Sequence, residues 1–124
     1  MDFERYWEAV AAQDETALRA FFTPDAIVFW PCTGERFDLT GFLRANCEYP
    51  GTWRAETERV TEAEDCTVTV ARVYSPESGV SCHVTSFFSL RDGKIASLTE
   101  YYADDGPVPD WRLHMRLGEP EGGR

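Results

Sequence analysis

From Trp53 onward the sequence is almost continuously β-patterned, and this restricts what the chain can become more than any other feature. Segments near Trp53 to Val60, Cys66 to Tyr74, Val80 to Leu90 and Lys94 to Ala103 are rich in Val, Thr, Phe and Tyr, residues that suit a pleated, half-buried surface. Glu64-Asp65, Ser75-Pro76-Glu77-Ser78-Gly79 and Asp92-Gly93 separate them, and short connections of this chemistry join consecutive strands as antiparallel hairpins. Such a sheet has a face to bury, and the first part of the chain must supply the cover.

That part reads mainly as helix. Phe3, Tyr6, Trp7 and Val10 recur at helical spacing with Glu4, Arg5 and Glu8 on the other side, which predicts an amphipathic helix over about 2 to 13. Asp14 is placed to cap a second short helix with Leu18, Phe21 and Phe22 as its buried stripe, stopped by Thr23-Pro24-Asp25. Ala26-Ile27-Val28-Phe29-Trp30 reads as a buried strand ended by Pro31, and a third helix is expected from about Thr40 to Cys47, broken by Tyr49-Pro50-Gly51. Helices first and a long antiparallel sheet afterwards is an α+β order, with the helices on one face of a curved sheet.

A chain of 124 residues fits one domain. We expect it over 1–117, with 118–124, which carries glycines, a proline and charges, as a flexible tail. An aromatic content of 14% favours a hollow fold with ring-lined walls over a tight bundle. The formal net charge of −10, with basic residues scattered singly, disfavours nucleic acid and membrane surfaces as partners. Met1-Asp2-Phe3-Glu4-Arg5 has neither a basic nor an apolar signal region, and no apolar run approaches the roughly 18 residues of a membrane span. A cytoplasmic protein is therefore expected. Cys32, Cys47, Cys66 and Cys82 show no C-x-x-C pairing, and the chain has two histidines. Free thiols, buried or half-buried, are the expectation, with no metal and no cofactor.

Several strings now point to a family. Phe22-Thr23-Pro24-Asp25-Ala26, Trp30-Pro31 followed by Gly34-Glu35-Arg36, Tyr49-Pro50-Gly51, Asp92-Gly93-Lys94-Ile95, Glu100-Tyr101-Tyr102 and Pro109-Asp110-Trp111-Arg112, taken with the element order, resemble the SnoaL-like branch of the nuclear transport factor 2-like superfamily. The resemblance runs from about Asp2 to Trp111. It implies a cone-shaped roll with an interior pocket for a small, largely apolar molecule, on a scaffold that hosts isomerases, cyclases, dehydratases, epoxide hydrolases and non-catalytic modules.

Within that resemblance, Tyr6 falls on the first-helix tyrosine with which ketosteroid isomerases hydrogen-bond the developing enolate oxygen. The position of their carboxylate base is Trp30 here, and an indole cannot abstract a carbon-bound proton. Their protonated aspartic acid is best matched by Ser86, a weaker donor. Ketosteroid isomerisation by the family mechanism is therefore not expected. The Glu100 position resembles an interior acid of the epoxide hydrolases, and Tyr102 a pocket aromatic of the isomerases.

Strand alternation puts Leu98, Glu100 and Tyr102 on one face. Glu100 and Tyr6 are the catalytic candidates, and Trp30, Trp53, Ser86, Phe88, Leu98, Tyr102 and Trp111 the candidate ligand contacts. Each has a plainer alternative. Tyr6 can be a core tyrosine, Glu100 a structural partner of Arg72, and Trp111 an apolar lid on the core.

His83 presents two registers. A clean two-residue turn at Asp92-Gly93 puts Glu100 opposite Thr85 and sends His83 into the pocket. The family comparison puts Val84, Ser86 and Phe88 inward and His83 outward, which requires a bulge. Burial of Phe88 and Leu90 favours the bulge.

Three functions stay open on these grounds. They are a proton-transfer enzyme acting on a small hydrophobic substrate, a non-catalytic binding protein, and an interaction module using the outer sheet face. Thr85, Phe87, Thr99 and Tyr101 on that face lead us to expect a homodimer.

Overall fold

The structure, a computed structural model, describes residues 1–119. Most of the tail expected at 118–124 therefore lies outside the described residues. The element order is α1 (Phe3–Ala12), α2 (Glu15–Arg19), β1 (Phe22–Trp30), β2 (Glu35–Asp38), α3 (Leu39–Cys47), β3 (Arg54–Glu62), β4 (Thr67–Tyr74), β5 (Ser81–Arg91), β6 (Lys94–Asp104) and α4 (Asp110–Leu113). This is the α+β arrangement expected: N-terminal helices on one six-stranded, mainly antiparallel sheet of order β2-β1-β6-β5-β4-β3. Among the described residues only the β1–β6 pair is parallel. The sheet is open, and no helix among the described residues is long and apolar enough to cross a membrane.

Helices α1, α2 and α3 start on aspartates that satisfy free backbone N–H groups. Asp2 accepts from the Arg5 amide, Asp14 from Ala17 and Asp38 from Gly41. Helix α1 buries Phe3, Tyr6 and Trp7 against the sheet, while α3 buries Leu39, Phe42 and Leu43. The Trp7 indole Nε1 donates to Thr69 Oγ1 at 3.0 Å and pins α1 to β4. Gln13 closes α1 in a left-handed conformation (φ 54°), and its side-chain amide donates to the carbonyls of Asn46 and Tyr49, holding the end of α1 to the end of α3.

Four expectations are corrected. Phe22 and Thr23-Pro24-Asp25 begin β1 instead of ending α2. The β1–β6 pairing jumps from Phe22–Ile95 to Ile27–Ser97, so Pro24 sits where the ladder is interrupted and its missing N–H is not needed. Strand β2 went unread because its pattern, Glu35-Arg36-Phe37-Asp38, is polar; it is an edge strand with one apolar residue. Leu90 is 40% exposed, although its cross-strand partner Ile95 is fully buried. Cys32 is exposed in the β1–β2 turn, whereas Cys47, Cys66 and Cys82 are half-buried; all four are free thiols.

The hairpin conflict resolves with both features present. Asp92 and Gly93 have φ of 53° and 78° and form a two-residue turn pairing Arg91 with Lys94. The register then slips: Leu90 pairs with Ile95 but Ser89 with Ser97, leaving Ala96 as the extra residue of a bulge. Beyond it Phe88 faces Leu98, Ser86 faces Glu100 and Val84 faces Tyr102. His83 consequently lies on the outer face.

Candidate functional site

The bulge at Ala96 decides what the concave face carries. It brings Val84, Ser86 and Phe88 of β5 onto the face of Leu98, Glu100 and Tyr102 of β6. Strand β4 adds Thr69 beside Ser86, Ala71 beside Val84 and Val73 beside Cys82. Thr69, Ser86 and Glu100 thus form a polar row across an otherwise apolar surface.

Glu100 is 1% exposed. Ser86 Oγ donates to its Oε2 at 2.7 Å, and the Trp30 indole Nε1 and the Tyr102 hydroxyl donate to its Oε1 at 3.1 and 3.3 Å. Burial raises the carboxyl above the usual carboxylate range, and the hydrogen bonds from Ser86, Trp30 and Tyr102 oppose the rise without cancelling it. No cation contributes to the shift. Arg72 is on the opposite face, where it meets Glu56 at 3.6 Å, donates to Ser81 Oγ and stacks over the Tyr74 ring. The Arg72 partnership considered for Glu100 is not formed.

Above this carboxyl lies a cavity of about 350 Å³. Trp30 and Tyr102, with ring centroids 5.5 Å apart, contribute both to its lining and to the hydrogen bonds on Glu100. They act as a floor between cavity and carboxyl. Trp7, Tyr49 and Trp53 add walls. Tyr49 and Trp53 stack at 5.2 Å, and the Trp53 indole donates to the Pro50 carbonyl. The turn needs Gly51: its φ is 117°, and a Cβ there would meet the Trp53 ring at 3.0 Å.

Tyr6 is fully buried, edge-on to Trp7, Phe21 and Phe88, and its hydroxyl has no hydrogen-bond partner among the described residues. Burial first, then the nearby Glu100 and Tyr102, raises its pKa well above the ordinary tyrosine value. Burial of the Tyr102 hydroxyl, then Glu100, does the same for that residue.

The expected residues therefore fall into three groups. Trp30, Trp53 and Tyr102 line the cavity. Glu100, Tyr6, Ser86, Phe88 and Leu98 are buried in the packed interior and are not part of its lining. Trp111 stands apart: α4 has no buried residue, and Trp111 is 67% exposed beside the Arg112 guanidinium. It neither lids the core nor reaches the cavity. Sequence reasoning missed Trp7, Gln13, Asn46, Tyr49 and Asp104 as lining residues. Asp104 was within reach, since the alternation that linked Leu98, Glu100 and Tyr102 continues to it. Among the described residues no cluster of His, Cys, Asp and Glu could hold a metal ion.

Comparison with known proteins agrees with this architecture. The SnoaL-like domain family matches residues 3–98. No curated protein matches the chain. A structure provisionally assigned as a ketosteroid isomerase from Kribbella flavida is similar with a TM-score of 0.78 and 20% identity, covering 97% of this chain and 88% of that one. A nuclear transport factor 2-like protein of unknown function from Burkholderia xenovorans gives 0.77 and 24%, covering 96% and 92%. A protein with a ketosteroid isomerase-like fold from Catenulispora acidiphila, in complex with trimethylamine, gives 0.69 and 14%, covering 82% and 84%. The helices laid on a bulged antiparallel sheet agree with the nuclear transport factor 2-like fold of these structures, and the match over residues 3–98 makes one assignment: the chain belongs to the SnoaL-like domain family.

Proposed function

We propose that the concave cavity binds a small, largely apolar molecule, and that Glu100 exchanges a proton with it while the Tyr102 hydroxyl stands between the two. One observation carries this reading: a buried carboxyl with no cation beside it, held by three neutral donors beneath a ring-lined cavity. A buried carboxyl with its pKa raised above the ordinary range is suited to acid–base work. As a base, Glu100 takes the Tyr102 proton while the Tyr102 oxygen takes one from the ligand; reversing both transfers returns a proton to the ligand. Isomerisation, cyclisation and dehydration all need such a pair of transfers. Tyr6, at the same depth, is the second buried hydroxyl in this reading.

The test begins with native mass spectrometry to identify a ligand retained through purification. Glu100→Gln should keep its affinity and lose its conversion. Conversion by the variant at the wild-type rate would end the proposal. A second reading is favoured by the fact that both Glu100 oxygens are already engaged and neither lines the cavity. In it the protein holds its ligand unchanged, and wild type and variant alike return the ligand unconverted.

Trp30 in place of a carboxylate base sets a limit on the reaction. A β,γ-unsaturated steroid ketone should stay unconverted; turnover that is lost on Tyr6→Phe would overturn this.

The proposal includes a homodimer through the convex face. There Phe29, Phe87 and Tyr101 are 36%, 40% and 45% exposed, flanked by Thr85 and Thr99. Sedimentation at micromolar concentration should show a dimer that Phe87→Arg dissociates, and a monomeric wild type would rule it out. Its formal net charge of −10 supports a reading with neither nucleic acid nor membrane as partner.

A further inference from the structure

The cavity has a charge character that its apolar lining hides. Five aromatic side chains line it, from Trp7, Trp30, Tyr49, Trp53 and Tyr102, and among the described residues its one charged lining residue is Asp104. No Lys, Arg or His among the described residues lines it. Asp104 enters by strand alternation, opposite Cys82 and one step beyond Tyr102 on the inward face of β6. A second carboxyl, Glu100, lies behind the Trp30–Tyr102 floor. Ring faces carry negative potential and attract cations, most strongly those whose charge is spread over alkyl groups and costs little to desolvate. An anionic ligand would face the same rings and both carboxyls with nothing to compensate its charge.

From this we infer that the ligand class of the cavity is an apolar molecule bearing a cationic nitrogen, an alkylated amine or quaternary ammonium, with its charge held among the rings and paired with Asp104. The inference rests on the proposal that the cavity is the ligand site, and it adds the charge of the ligand. Apart from the tyrosine hydroxyls and indole N–H groups of the rings, the polar groups left at the wall are Thr33, Cys32 and the amides of Gln13 and Asn46. Both amides already donate to backbone carbonyls, Gln13 Nε2 to Asn46 and Tyr49 and Asn46 Nδ2 to Val10, so their donors are committed to holding α1 against α3. Recognition of an anion by side-chain amides is thereby removed as well.

Three probes of nearly equal shape separate the possibilities: benzyltrimethylammonium, its neutral isostere 2,2-dimethylpropylbenzene, and the anion 3-phenylpropanoate. Binding to the full chain can be followed by tryptophan fluorescence, since Trp7, Trp30 and Trp53 line the cavity. The cation should bind about tenfold more tightly than the isostere, as expected for a desolvated cation over several rings, and the anion weakest. Asp104→Asn, at an exposed position where folding is not at risk, should weaken the cation roughly three- to tenfold and leave the isostere unchanged. Equal affinity of cation and isostere, or an anion that binds best, overturns the inference while leaving the cavity as a ligand site. An Asp104→Asn variant that weakens both probes alike also overturns it, because the carboxyl would then serve shape and not charge. If none of the three binds, the inference and the underlying ligand-site proposal fall together.

Discussion

Two carboxylates five positions apart, at and just beyond the end of β6, are shifted in opposite directions. Glu100 points into the concave face among rings and neutral donors, and its pKa is raised. Asp105 lies on the convex side, accepting from Ser81 Oγ at 2.6 Å and from His83 Nδ1, with Arg72 joined to the same Ser81. Burial pulls the Asp105 carboxyl up, but the hydrogen bonds from Ser81 and His83 and the charges of His83 and Arg72 bring it below its ordinary value. His83 responds in kind: its hydrogen bond to Asp105 comes first, and with the charges of Asp105 and Glu58 it outweighs burial and raises the ring's pKa. Glu58 meets His83 Nε2 at 3.1 Å. The same side-chain chemistry is thus held inside the cone where burial disfavours its ionised form, and outside it where neighbouring donors and cations favour that form. A titratable group held in the first way is a candidate for proton exchange, whereas the second arrangement is an ordinary surface network.

The largest expected difference between the two sides is in stability. Glu100→Ala leaves the donors of Ser86, Trp30 and Tyr102 unpaired and opens space in a packed interior, and should cost about 2–4 kcal/mol in denaturant melts. A loss below about 1 kcal/mol would mean that the carboxyl is not buried as described. Ser86→Ala removes one donor from Glu100 and should cost about 1.5–3 kcal/mol, because the bond is to a chargeable group. It should also push the carboxyl further up, which carboxyl-resolved NMR titration would detect.

The pH dependence sharpens the contrast because the signs differ. Glu100 has a raised pKa, so the stability linked to it is fully present below the ordinary carboxylate range and is lost as pH rises through the raised value. Glu100→Gln should remove that loss, and its melting temperature should gain on wild type as pH increases. Asp105, with a lowered pKa, contributes stability above the ordinary range that disappears as pH falls through its folded value. The raised His83 contribution is present below the ordinary imidazole range and fades as pH climbs through the raised value. Parallel profiles for Glu100→Gln and Asp105→Asn across about pH 4 to 9 would erase the distinction between the two faces. The smallest effect is the stability change for Asp105→Asn near neutral pH, about 1 kcal/mol or less, since its network is partly solvated.

Much of this was legible in the chain. Helix α1 follows from Phe3, Tyr6, Trp7 and Val10, and period-two alternation placed Leu98, Glu100 and Tyr102 together before any contact was known. The residues that escaped notice are those whose environment is made by distant segments. Tyr49 belongs to a chain break and becomes a wall because Gly51 lets Trp53 fold back on it. Trp111 has the chemistry of a core residue but sits in a four-residue helix with no buried residue.

The sequence by itself determined which residues share a face, because the direction of a side chain on a strand or helix depends on local backbone geometry. Tertiary structure decided how the faces meet. One extra residue, Ala96, shifted the β5–β6 register so that Ser86, not Thr85, opposes Glu100 and His83 turns outward. The apolar pattern called for a bulge in this hairpin, but only the pairing across the strands shows which residue forms it. Whether Glu100 met an arginine or three neutral donors was likewise set across the sheet, with Trp30 arriving from β1, 70 positions away in sequence. Desolvation and charge pairing are sums over spatial neighbours, and so the chemistry of that carboxyl belongs to the fold and not to β6 alone.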